Sequence, residues 1–114
     1  VVLNSGGANA CTGPQGFADT HRTAEHVAQV LGVSAGDVVV CSTGLIGELL
    51  PMDRLLAGVD AAGAALSPTG GEDAAGAIKT TDTVHKQAEA GPDGLAMLVS
   101  GAPRAKPSTA RTAR

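Results

Sequence analysis

An α/β fold is what this sequence predicts, on three observations. Two short apolar runs, Val1-Val2-Leu3 and Val38-Val39-Val40-Cys41, have the length and the β-branched content of buried strands. A segment with apolar residues at three- and four-residue steps follows each of them, the mark of a helix with one covered face. Stretches of Gly, Ser, Asn and Thr separate strand from helix, as turns and loops do. The predicted order is β-loop-α-β-loop-α-α-β.

The first strand ends in residues 4–13, whose paired Asn residues and Cys11 set them apart from a flexible spacer. Phe17, Thr20, Ala24, Val27, Ala28 and Leu31 then form the apolar stripe of the first helix. Asp19, Arg22, Glu25 and Gln29 fall on its other face, and Gly32 stops it. After a turn at residues 34–37, residues 38–41 read as a fully buried strand that empties into Ser42-Thr43-Gly44. Pro51 suits the first turn of a second helix with the stripe Met52, Leu55, Leu56, Val59 and Ala62, fading by Gly63 or Leu66. A loop at residues 67–71 leads to a short helix at 73–78, and residues 80–86 are loop passing into strand. From Glu89 onward the character changes: a turn at Gly91-Pro92-Asp93-Gly94, a brief apolar run at 95–99, then low-complexity sequence from 101 to 114. Residues 1–90 are therefore expected to fold as one domain and residues 91–114 to form a disordered tail.

At 114 residues the chain has the length of one small domain, and 43% of it is hydrophobic. One Phe, no Trp and no Tyr make that core small-sided, which predicts marginal stability alone or dependence on a partner. Residues 99–114 hold Arg104, Lys106, Arg111 and Arg114 and no acid. The rest of the chain carries the other four of its eight bases against all eleven acids, an acidic body that disfavours nucleic acid. Cys11 and Cys41 have no metal-binding spacing and read as buried free thiols in a reducing compartment. No run approaches the roughly 20 apolar residues of a membrane span, and the opening run is too short for a signal peptide. The expected location is the cytoplasm, and the absence of an initiator Met suggests a piece of a longer protein.

Three runs of small polar residues are the candidate chemistry. In Ser42-Thr43-Gly44-Leu45-Ile46-Gly47 a hydroxyl adjoins a main-chain N–H that glycine leaves uncovered. Two such donors aimed at one point make an oxyanion hole; otherwise Thr43 bonds local backbone in a strand-end turn. In residues 4–13, Asn9 and Thr12 either support a site by hydrogen bonds or cap the first helix, and no phosphate-loop pattern is present. In Thr80-Thr81-Asp82-Thr83, three hydroxyls and a carboxylate suit a polar amino-acid ligand, or Asp82 organises a turn. His21 and His26 stand five apart on a helix, the wrong step for a shared metal, and His85 reads as a surface residue.

Together and in this order, the blocks at residues 3–13, 42–47 with Leu50-Pro51-Met52, and 74–86 resemble the ornithine acetyltransferase family, also called bifunctional glutamate N-acetyltransferase. The resemblance implies a layered α/β fold and a precursor that cuts itself at an Ala-Thr bond. The new N-terminal Thr attacks N-acetylornithine and passes the acetyl group to glutamate, serving arginine biosynthesis. It implies no metal or coenzyme, with acetyl-CoA possible as a donor substrate. It also implies a β piece of the same precursor as partner in a heterotetramer. Carried over by position, Thr43 and Gly44 match the oxyanion-hole pair and Thr80 a substrate-binding threonine.

The chain departs from the family pattern in carrying Lys79 before the paired threonines and in showing no Lys-Gly block beyond Lys86. It contains no Ala-Thr dipeptide, and its Ala/Arg/Pro/Ser tail suggests a shifted reading frame, which the gene sequence would settle. The expectation is a fragment of the acetyltransferase α piece that is inactive alone. The alternatives are a non-catalytic α/β module binding an amino acid or a protein partner, and a relative that acetylates another amine.

Overall fold

The computed structural model describes residues 1–89 and 96–97. Strand β1 (Val2–Gly7) pairs in parallel with β2 (Val40–Leu45), from Val2 beside Val40 to Gly7 beside Leu45. Helix α1 (Gly13–Leu31) supplies the crossover that a parallel pair requires. Helices α2 (Met52–Ala64) and α3 (Gly71–Ala77) follow, then an antiparallel pair of two-residue strands, β3 (Ala88–Glu89) and β4 (Ala96–Met97). The element order expected from sequence is the order observed through β3. The remainder of the predicted tail at residues 91–114 lies outside the described residues.

Local chemistry places the helix ends. Pro14 lies in the first turn of α1, where its missing N–H has no partner to lose. Gly32 closes α1 in the left-handed region, its N–H returning to the Ala28 carbonyl. Pro51 precedes α2, and Asp53 in the first turn of α2 complements the helix dipole. Ser34 accepts the Gly36 N–H and so tightens the single 3-10 turn at Ala35–Asp37. α2 lies against α1, and His26 Nε2 meets Asp60 Oδ1 at 2.7 Å across the two helices.

The structure corrects several expectations. The strands start or end later than the apolar runs suggest: β1 takes in Asn4 to Gly7, and β2 contains Ser42, Thr43 and Gly44 rather than emptying into them. Nor is the valine run fully buried, since Val39 is 56% exposed and Val40 only half-buried. Two strands present too little sheet to be covered on both faces. The buried residues of α1 are Gly16, Asp19, Thr23, Val27 and Ala28: Val27 and Ala28 lie inward as expected, whereas Phe17 is 69% exposed. Asp19, expected on the polar face, is buried because Gln15 Nε2 donates to its carboxylate at 3.0 Å and Thr23 donates to its main-chain oxygen at 2.7 Å. Cys11 is exposed and Cys41 half-buried, both as free thiols. Cys11 stands at a positive φ of 58 on the surface turn that precedes α1.

The buried apolar residues are few and small: Ala8, Val27, Ala28 and Ala75 among those described. An open apolar groove of about 590 Å³ runs between β1, β2 and α2, with Val2, Val40, Leu45, Leu50, Leu55 and Val59 in its walls. Among the described residues no helix is long and apolar enough to cross a membrane.

Candidate functional site

The β1–α1 turn shows what most of its polar residues do. Asn9 Nδ2 donates to the Gly16 carbonyl and to Thr20 Oγ1, each at 2.7 Å. Thr12 Oγ1 donates to Asn9 Oδ1, and the Asn9 N–H donates to Ser42 Oγ at 2.8 Å. Thr12 stands at the N-cap position of α1 without a side-chain capping bond. Asn9 is thus a fastener between loop, helix and β2, with its carboxamide committed on both sides. Of the two readings of this segment, support through hydrogen bonds describes Asn9, and the support is of the fold.

β2 carries the next residues. Side chains alternate along a strand, so Ser42 faces the Asn9 turn while Thr43 faces the other way, beside Ser5 of β1. Thr43 is exposed, and its hydroxyl makes no hydrogen bond among the described residues. Gly44 follows at a φ of +132, a conformation L side chains rarely adopt. A Cβ there would collide with the Gly6 carbonyl group and the Gly7 nitrogen, so the close pairing of the two strands also requires glycine.

The ladder fixes where the Gly44 main chain points. The Val2 N–H donates to the Val39 oxygen and the Ala8 N–H to the Leu45 oxygen, so alternate β2 residues 39, 41, 43 and 45 face β1. Gly44 falls in the opposite phase. Its N–H is directed to the edge of β2, which no strand pairs among the described residues.

A cleft of about 230 Å³ is lined by Leu3, Asn4, Cys41, Ser42, Thr43, Ile78, Thr80 and Asp82. Thr43 and Thr80, far apart in sequence, therefore share one cavity. Gly44 adjoins the cleft in β2 and is not one of its lining residues. The Thr80 hydroxyl, like that of Thr43, makes no hydrogen bond among the described residues. Asp82 is the charged group of the cleft: its side chain is 7% exposed, and Lys86 Nζ donates to it at 2.8 Å. Between the two readings of Asp82, ligand contact and turn organiser, the structure shows a bond to Lys86 four residues on and a side chain that also lines the cleft. Ser5 looks in the sequence like its small neighbours in β1. Its Oγ donates to the Ala77 carbonyl at 2.6 Å, a tertiary contact that no local pattern announces.

His21 and His26 do not converge. His21 Nδ1 lies 3.0 Å from the Phe17 oxygen within α1, while His26 turns to Asp60 on α2. The third histidine, His85, is a surface residue near Glu72 at 3.8 Å.

Comparison with known proteins matches the ArgJ family over residues 1–102. The arginine biosynthesis bifunctional protein ArgJ of Streptomyces coelicolor is 71% identical over 94 residues, which are 82% of this chain and 24% of that protein. ArgJ 1 of Streptomyces clavuligerus is 72% identical over 88 residues, 77% of this chain and 23% of that protein. Among solved structures, ornithine acetyltransferase of Mycobacterium tuberculosis complexed with ornithine superposes with a TM-score of 0.81 at 52% identity, covering 93% of this chain and 60% of the other. The chain spans about a quarter of the length of the curated relatives it matches.

Proposed function

As the chain belongs to the ArgJ family, we propose that it supplies the oxyanion-stabilising part of an acetyltransferase that moves an acetyl group from N-acetylornithine to glutamate. The observation that carries this reading is the meeting of Thr43 and Thr80 in one cleft, each with its hydroxyl unspent.

When a nucleophile adds to the acetyl carbonyl, the carbonyl oxygen takes up negative charge and needs donors already in place. The Thr43 hydroxyl and the Gly44 N–H are donors on successive residues of β2 and would hold that oxygen. Thr80 contacts the amino-acid portion of the substrate from the facing wall. The nucleophile, by family resemblance the N-terminal Thr of a β piece, comes from outside these residues, in a heterotetramer of the two pieces. Acetyl-CoA, where used, enters as a donor substrate, and no metal or resident coenzyme takes part.

The experiment is an acetyl-transfer assay with N-acetylornithine and glutamate. The purified chain should give no turnover, because no covalent route exists without a nucleophile. Adding the separately produced remaining portion of the Streptomyces coelicolor relative should restore it. Turnover by the chain alone refutes the division of labour. Binding of ornithine by calorimetry, with no turnover after complementation, favours a non-catalytic amino-acid-binding module instead.

A further inference from the structure

The wall of the cleft that carries Thr80 is a small unit closed on itself. Glu72 of α3 faces His85 at 3.8 Å, Lys86 bonds Asp82 at 2.8 Å, and Gln87 Oε1 would stand 3.2 Å from a Cβ on Gly71. The Glu72–His85 pair and the nearness of Gln87 to Gly71 set residues 85–87 beside α3, while the Lys86–Asp82 bond braces residues 82–86 internally. A side-chain hydrogen bond joins the unit to β1: Ser5 Oγ donates to the Ala77 carbonyl at 2.6 Å. Ala77 ends α3, so its carbonyl has no partner within the helix and is free to take a tertiary donor. Ser5 in turn stands beside Thr43 in the ladder. The bond therefore runs from the neighbour of one cleft threonine to the backbone just ahead of the other.

We propose that Ser5 is a positioning residue for the substrate site, setting the Thr80 wall against Thr43; in speaking of substrate, this rests on the function proposed above. Ile78 also reaches the cleft, but apolar contact is non-directional and lets two surfaces slide. A short hydroxyl-to-carbonyl bond fixes distance and angle.

The test is nuclear magnetic resonance on the isotopically labelled 114-residue chain, titrated with ornithine. In the unaltered chain, Overhauser contacts should link residues 77–82 with residues 3–5 and 41–43. In Ser5→Ala those contacts should weaken and ornithine affinity should fall about three- to tenfold, the range for one hydrogen bond. Ser5→Thr, which keeps the hydroxyl, should restore both. Persistence of the contacts in Ser5→Ala overturns the proposal, as does loss of the contacts with affinity unchanged, or failure of Ser5→Thr to restore them. If Ser5→Ala does not fold, Ser5→Cys, of similar size and a poor donor, decides by the same readings. An unaltered chain that shows the contacts but ignores ornithine refutes the substrate reading, and the role of Ser5 in holding the wall is then judged on the contacts alone.

Discussion

The β1–α1 turn and the Thr43–Thr80 cleft are built from the same few residue types, yet they use them in opposite ways. In the turn, the Asn9 carboxamide and the Thr12 hydroxyl meet protein partners, and the Asn9 N–H reaches across to the Ser42 hydroxyl of β2. In the cleft, the hydroxyls of Thr43 and Thr80 meet none among the described residues. Small polar residues next to glycine thus mark two things, a fastener and a receptor, and only the state of their hydrogen bonds tells one from the other. The difference has an energetic reading. A committed polar group stabilises the fold, whereas an uncommitted one keeps its bonding capacity for a ligand.

The sharpest way to break the contrast is Thr43→Ala. Removing one oxyanion donor should lower kcat of the complemented enzyme by about 10²–10³-fold. Urea unfolding of the chain should move by less than about 0.5 kcal/mol, since the hydroxyl holds nothing in the fold. A large loss of stability would put Thr43 on the fastener side. Gly44→Ala should do the reverse of Thr43→Ala on the fold. Its positive φ and the collision with Gly6 should destabilise the chain by about 3 kcal/mol, read as a fall in the urea midpoint. A smaller cost belongs to Asn9→Ala. It strips the bonds to Gly16, Thr20 and Thr12 and should remove about 2 kcal/mol, with ornithine affinity per folded molecule unchanged. Calorimetry after correction for the folded fraction checks that, and an intrinsic loss of affinity would carry Asn9 across to the receptor side.

Much of the fold was legible because each helix carries its own signals. Pro14, Gly32 and Pro51 act within a turn of themselves, and α1 and α2 begin and end near where they indicate. What is covered was less legible. Period alone assigned Phe17 inward and Asp19 outward, and the structure has them the other way round. Helix α1 meets a polar turn as well as apolar residues, so Gln15 and Thr23 satisfy Asp19 in a place a core would forbid. The valine run carried strand propensity correctly but not burial, because burial depends on how many neighbours a sheet has. Of the site, Thr43 and Thr80 were nameable from their blocks, and their sharing of one cavity came only with coordinates. Ser5 was invisible for the same reason: its partner Ala77 is 72 positions away.

The parallel pairing of β1 with β2 also dictates an order of events in folding. Neither strand can find its neighbour until the intervening chain has reversed direction, so loop-closure entropy is spent before any ladder bond forms. During that interval both strand edges, with Leu45 and Ile46 bare at the end of one, are templates for another molecule, which ties the yield of refolding to protein concentration.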